Sequence, residues 1–337
     1  MSASAPTSRK TVAVVITVKN DPVGCEVTLR SLAAQTRPAD EIIVVDGGAD
    51  DDTAATVRRF RSLCPQLRLI EAPGANIACG RNTGIQAARS DIIATTDAGC
   101  RAESDWLAAL VRPLEQDAEA EFVAGFYRID PQTLFEHAVG LATMRGQLDP
   151  VNPETFNPSA RSMAYTKALW HRVGGLPQWL CYSEDTLFDH KVRAMRVGWR
   201  FAGDAIVHWR PRSTLRSVAR QFYGYGTGRG HTQIGAADFA YNLRNMLLVA
   251  ALIGLSIAIP WAVASLILLA GYFYVWTFHP KAARIARRTQ SWRAYPLCVF
   301  ILCVVLFSNT AGYVVGSFQR WRNQRAYQQQ MKAYLAK

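Results

Sequence analysis

The last third of this 337-residue chain has almost no acid: from Ala205 to Lys337, Asp238 stands alone against 16 lysines and arginines. The totals of 38 basic and 26 acidic residues leave 22 and 25 before Ala205, so the whole +12 excess sits in that last stretch. Paired cysteines are lacking too. Cys25, Cys64, Cys79, Cys100, Cys181, Cys298 and Cys303 include no Cys-x-x-Cys, which excludes the usual zinc spacings and gives no disulfide framework. The opening MSASAPTSRK has no apolar core and does not read as a signal peptide. Together these features place the main body in a reducing cytoplasm. Charged residues make up only 19%, low for a purely soluble protein. A nucleic-acid partner is excluded as the reason for the basic balance, because no basic helix or aromatic RNA platform occurs outside the apolar part.

What the chain does have is apolar length. Residues 246–278 and 295–318 carry no charge over 33 and 24 residues, more than the roughly 20 needed to cross a bilayer. At least two membrane segments are expected, at the inner or plasma membrane. Their topology is open at this level. The linker 279–294 and the tail 319–337 are both basic, and the positive-inside rule wants both on one side. One span each does not satisfy that. A hairpin bent at Pro260 would hold the linker inside but send the tail out. Basic residues beside apolar segments suit anionic lipid headgroups.

Residues 11–210 read as one α/β domain after a disordered stretch, 1–10. Thr11–Val18, Glu41–Val45, Leu67–Ile70 and Asp91–Thr96 are short β-branched or apolar runs, the signature of buried strands. Helical spacing occupies Val23–Gln35, Thr53–Leu63 and Ala78–Ala88. Alternation of this kind predicts a mostly parallel sheet flanked by helices, with ligands at the carboxyl ends of its strands. Asp21, Asp46 and Asp97 fall at or just past such ends. Residues 122–182 are less regular. A helix is expected from Asp185 to Val197 and a further strand at Asp204–His208. Residues 211–245 read as an interfacial amphipathic segment, basic and aromatic by turns, whose glycines at 224, 226, 228 and 230 suit a flexible gate.

Five motifs occur in one order. They are Thr17-Val18-Lys19-Asn20-Asp21, Glu41 to Asp46-Gly47-Gly48 with the acids that follow, Gly80-Arg81-Asn82-Thr83-Gly84, Thr96-Asp97-Ala98-Gly99-Cys100 and Ser183-Glu184-Asp185. Together they resemble family 2 glycosyltransferases of the GT-A fold. Arg210-Pro211-Arg212 and the segment Gln221 to Gly230 are similar to membrane-bound exopolysaccharide transferases of succinoglycan type. The resemblance implies a Rossmann-like GT-A domain. It implies an inverting transferase that moves a hexose from a nucleotide sugar, a UDP-sugar, to a lipid-linked or polysaccharide acceptor.

Under that resemblance, Asp46, Arg81, Asp97, Thr17 and Asn20 hold the donor, with Asp46 accepting from the base. Asp97, joined by His208, takes Mg2+ or Mn2+, while Gln221 and Arg229 meet the leaving diphosphate. Asp185 is the base, with Glu184 beside it. The chemistry fits the residue types. An inverting transfer needs a carboxylate to take the acceptor hydroxyl's proton, and a planar guanidinium suits phosphate oxygens. The pattern departs from the family at Gly99, where a second aspartate is expected. That leaves three outcomes: an ion held by Asp97 and His208, a weakly held ion, or none. It also keeps a second reading open, a non-catalytic module that binds a nucleotide sugar or a partner enzyme. A sugar-nucleotide-synthesising enzyme fits worse, since a single glycine follows the first strand where such enzymes carry a Gly-rich basic loop. Trp179 and Tyr182 are candidates for a stacking wall.

Overall fold

The structure, a computed structural model, describes residues 9–48, 51–144, 146–259 and 262–336. Most of the expected disordered start and the Pro260 bend lie outside them. The chain divides into two compact units. The first runs through Arg128, resumes at Val151–Trp209 and takes in the tail from Gln330; the second comprises Ile129–Pro150 and Arg210–Gln329.

In the first unit, β1 (Val12–Val18), β2 (Glu41–Asp46), β3 (Leu67–Glu71) and β4 (Ile92–Asp97) are the four expected strands. They pair in parallel in the order β3-β2-β1-β4. β1 is buried from Val12 to Ile16, as an apolar strand covered on both faces should be. The helices between them are α1 (Pro22–Ala33), α2 (Thr53–Arg59, followed by a 3-10 turn) and α3 (Ile77–Ala87).

The sheet is less parallel than expected. β5 (Cys100–Ala102), β6 (Ala120–Ile129), β7 (Met163–Thr166) and β8 (Gly198–Trp209) complete eight strands, and β4-β7, β6-β7 and β5-β8 pair antiparallel. The result is a mixed sheet. Its second half is locked by buried polar links: Trp106, which opens α4 (Trp106–Gln116), donates to Ser162 Oγ at 2.9 Å, and Ser162 donates to the Ala205 carbonyl at 3.0 Å. α6 (Lys167–Val173) and α7 (Glu184–Ala194) follow β7.

The second unit is helical: α5 (Leu134–Thr143), α8 (Leu215–Thr232), α9 (Ala236–Ala258), α10 (Ala262–Phe273, running into a π turn), α11 (His279–Arg288) and α12 (Ala294–Arg322). The last helix, α13 (Gln324–Leu335), runs from this unit into the first. Among the described residues, three stretches are long and apolar enough to cross a membrane: Ala236–Ile257, Val263–Arg288 and Ala294–Arg322. The uncharged stretch 246–278 is thus two helices instead of one span. The Gly-rich segment is no gate loop either. It lies inside α8, capped at Thr214 by a reciprocal box with Ser217, and its glycines form a packing face. A Cβ on Gly226 would stand 2.0 Å from the Asn309 carbonyl oxygen, and one on Gly312 would stand 2.1 Å from that of Tyr223. Backbones of α8 and α12 meet where only hydrogen fits between them.

Candidate active site

The parallel strands order the site by register alone. Thr17 on β1 lies opposite Asp97 on β4, and Val18 lies opposite Asp46 on β2. Asp46 and Asp97 therefore flank the end of β1 from either side, about 10 Å apart at the strand spacing. Thr17 is half-buried, while Asn20 is exposed with a left-handed φ of 54°. Asp21 turns out to be structural: it caps α1 by accepting from Gly24 N at 2.9 Å.

Arg81 reaches this edge because α3 lies close on the sheet. A Cβ at Gly84 would meet Val15 Cγ1 at 2.6 Å and Val45 Cγ2 at 3.0 Å, and one at Gly80 would meet Thr17 Cγ2 at 3.2 Å. The two glycines of the Gly-Arg-Asn-Thr-Gly block therefore seat the helix, and the arginine between them is carried inward. Asn82 then fixes the loop before α7, donating to the Leu176 carbonyl and accepting from Leu176 N and from the Trp170 indole.

The Arg81 guanidinium is 3% exposed and bridges two elements: Nη2 donates to Asp97 Oδ1 at 3.0 Å and Nη1 to Glu184 Oε1 at 3.3 Å. Burial works against its charge, but Asp97, Glu184 and Asp185 outweigh that and hold its proton more tightly than usual. Glu184 opens α7 and is buried. Desolvation first, and repulsion from Asp185 second, push its carboxyl up to about 7 against the pull of Arg81. One turn on, Asp189 is fully buried and neither of its oxygens has a hydrogen-bond partner. Desolvation, with Asp185 nearby, raises its pKa well above the ordinary carboxylate value, because burial disfavours the charged form. Asp185 differs from both. It is partly exposed, and its Oδ1 accepts from Thr186 N at 2.7 Å.

Asp46 is 2% exposed, and its Oδ1 is buried without a partner. Desolvation raises its pKa in spite of a bond from Gly48 N. A buried acceptor left open at the carboxyl edge is the state expected of a group that waits for a ligand's N–H.

The metal expectation meets a different arrangement. His208 on β8 pairs in register with Arg101, and its Nε2 lies 2.9 Å from Glu103 Oε1, so the structure commits the ring elsewhere. Asp97 is faced by guanidinium on both oxygens: Arg81 on Oδ1, and Arg161 Nε 3.8 Å from Oδ2. Gly99 has φ +85 and donates its N–H to Thr28 Oγ1 at 3.0 Å. A side chain is strained there, which explains why no second aspartate occupies the turn. No group of three or more His, Cys, Asp or Glu suited to a metal ion occurs among the described residues. The residues present do not fit a divalent ion, and no step is derived through one.

Gln221 and Arg229 belong to the second unit. Gln221 donates to the Tyr225 hydroxyl at 2.8 Å, and Arg229 lies over the Phe239 ring at 5.9 Å. Trp179 is half-buried and Tyr182 exposed. Sequence reasoning missed Asp189, although it follows Asp185 by one helical turn. It also missed Arg161, which stacks on the Trp209 ring at 4.6 Å and carries no local signal. A depression of about 430 Å³ lined by Thr11, Asp40, Glu41, Arg68, Arg89 and Ser90 lies at the opposite, amino-terminal edge of the strands. Its groups are spent on each other, with Glu41 accepting from Arg89 N, Ser90 N and Ser90 Oγ.

A mixed sheet whose parallel half ends in carboxylates, with a buried arginine joining them to an acidic helix start, is a GT-A-like architecture. Residues 13–172, just under half of the chain, match the family model described as glycosyl transferase family 2. Among curated proteins, the chain is 33% identical over 99 residues to glycosyltransferase AglE of Haloferax volcanii, covering 28% of this chain and 33% of that protein. It is 24% identical over 185 residues to the uncharacterized glycosyltransferase EpsJ of Bacillus subtilis, 52% of each. The chain thus spans a third to a half of the length of these relatives. Among solved structures, the mannosyltransferase PcManGT from Pyrobaculum calidifontis, in complex with GDP-Man and Mn2+, superposes with a TM-score of 0.58 at 21% identity, over 93% of this chain and 89% of that one. GalNAc-T7 with UDP, GalNAc and Mn2+ follows with a TM-score of 0.50 at 15% identity, over 66% and 48%. These likenesses show the fold.

Proposed function

We propose that the chain is an inverting, membrane-bound glycosyltransferase that moves a hexose from a nucleotide sugar, a UDP-sugar, to a lipid-linked or polysaccharide acceptor at the cytoplasmic face. The observation that carries this reading is the division of labour among three acids on one helix. Glu184 and Asp189 are buried and raised, whereas Asp185 is partly open at the start of the helix. Asp185 is thus placed to accept the proton of an acceptor hydroxyl. Asp46 receives a base N–H. Thr17 and Asn20 lie at the same edge, and Arg81 holds Asp97 and Glu184 in place. Asp97 lies at the donor end of β4, Arg161 beside it faces the donor's diphosphate, and Gln221 and Arg229 are further candidates for it.

Purified protein in detergent, given UDP-sugars and a lipid-linked acceptor, should release UDP. Asp185→Asn should lower turnover by a factor of about 10² to 10⁴ and leave donor affinity within a few-fold. Unchanged turnover in Asp185→Asn would remove the base assignment. A second reading, a module that binds nucleotide sugar without catalysis, is favoured by Gly99 and by the two guanidiniums on Asp97. It predicts nucleotide binding with no release.

A further inference from the structure

We infer that α12, apolar and 29 residues long, does not cross the bilayer. It lies in the leaflet on the side of the first unit and presents one apolar stripe to lipid.

The first argument is parity. The tail from Gln330 belongs to the same compact unit as the β-sheet. Tyr334 is buried there; its hydroxyl donates to the Gly175 carbonyl at 3.1 Å, and Lys191 on α7 donates to its backbone carbonyl. A water-soluble unit lies on one side of a membrane, so the chain between Trp209 and Gln330 crosses an even number of times. Three candidate spans cannot all be complete crossings.

The second argument identifies which one stays. Residues 129–150 leave the first unit and return to it, and their single helix, α5, has ten residues, too few to span. That segment remains on the first unit's side. The start of α12 packs against it, with Ala294, Cys298 and Ile301 in one buried cluster with Ala138, Val139 and Leu141. Ala282 and Ile285 of α11 join the same cluster. Both ends of α12 are therefore on one side, and α9 with α10 forms an out-and-back hairpin.

The third argument is chemical. α8 runs beside α12 in parallel, from the Gly226 contact with Asn309 to the Gly230 contact with Tyr313, and Arg320 on α12 donates to the His231 carbonyl at 2.9 Å. A spanning α12 would carry Arg216, Arg220 and Arg229 of α8 into hydrocarbon, where guanidinium is strongly disfavoured.

The outer face of α12 fits this placement. Pro296, Phe300, Phe307, Val314, Phe318 and Trp321 are its exposed large apolar residues. Their spacings of 4, 7, 7, 4 and 3 keep them on one narrow face of a 3.6-residue helix. Arg293 precedes this stripe and Arg322 ends it, where anionic headgroups would meet them. The placement also resolves the conflict over charge, because the basic linker and the basic tail then share a side.

The occupant of the stripe is the boundary between acyl chains and headgroups of one leaflet. Cys181 is exposed on the first unit and reports that unit's side to a membrane-impermeant maleimide. Arg288→Cys and Gln328→Cys, made separately in the full-length protein, should label in the same vesicle orientation as Cys181. Labelling of Gln328→Cys only from the opposite side would overturn the proposal. Nitroxides at Phe300, Phe307 and Val314 should report the same shallow depth by oxygen and nickel-chelate relaxation. A depth maximum at Phe307 would mean a crossing helix. Spin–spin broadening between copies at Phe307, with no oxygen contact, would mean a second copy covers the face. None of these readouts depends on transferase activity.

Discussion

Replacing Glu184 by glutamine isolates one buried charge and turns it into a pH signature. In the unfolded chain this carboxyl titrates near 4.5, and in the folded protein near 7, because it is desolvated and faces Asp185. Between those pH values the folded form binds more proton than the unfolded form, so stability falls as pH rises. Below 4.5 both forms are protonated, and above about 7 both are ionised, so the loss is confined to that window. At about 1.4 kcal/mol per pH unit it amounts to about 3 kcal/mol. The glutamine cannot titrate. Thermal unfolding in detergent, followed by tryptophan fluorescence from pH 4.5 to 8, should therefore show wild type losing about 3 kcal/mol more than Glu184→Gln. That is roughly 6–12 °C for a domain of this size. Titrating groups remote from Glu184 contribute to both curves and cancel, while Asp189, raised in part by Glu184, changes in the same experiment. Parallel curves would refute the account, since they would mean that Glu184 is ionised in the fold throughout and that its pair with Arg81 dominates desolvation.

Three further outcomes follow from the same geometry. Because Asp97 is faced by two guanidiniums and Gly99 supplies no ligand, saturating Mn2+ should tighten UDP binding by less than about tenfold, or about 1.4 kcal/mol, in calorimetric titration; a larger gain would show that an ion displaces Arg81. Gly84→Ala places a methyl 2.6 Å from Val15, which should cost about 1–3 kcal/mol of stability and weaken nucleotide binding, because α3 must lift with Arg81; a neutral result in both assays would show that the helix is not seated by that contact. Tyr334→Ala empties a buried aromatic site in the first unit and should cost about 3 kcal/mol, read as a lower melting temperature and faster proteolysis of the tail; an unchanged melt would mean the tail is not docked.

The parallel half of the fold was legible because each strand there is a local event. A run such as VAVVITV or EIIVV is apolar, β-branched and closed by Asp-Pro or Asp-Gly, and nothing distant is needed to read it. The antiparallel half was not. β8 is twelve residues long but only DAIVH within it reads as strand, since its first half carries Trp199, Arg200 and Phe201, whose burial is set by partners elsewhere, as in the stack of Trp199 on Phe122. The uncharged stretch 246–278 misled for the opposite reason. Composition records that residues avoid water, but length and charge alone do not record where a helix ends. The glycines of α8 misled likewise: flexibility and close packing leave the same residues in the sequence, and only the facing Gly312 and Gly316 distinguish them.

The site residues were visible one by one, and their coupling was not. Asp97, Arg81 and Glu184 each stood out in a motif, but the ion pairs that join them span 16 and 103 residues. This coupling changes what Arg81 does. An arginine with two carboxylate partners and 3% exposure is already charge-compensated, so its first task is to hold β4 and α7 together, and a phosphate would have to compete with Asp97 for it. The same pairs decide between the two adjacent acids of α7. Glu184 has the proton affinity a base needs at neutral pH, but its oxygen is spent on Arg81 and the residue is buried. Asp185 has the access. Asp189 behind it and Glu184 beside it are both raised by burial, and Arg81 supplies positive charge to the same cluster. Access therefore divides the three acids, and on the proposed reading the base is Asp185, the partly exposed one.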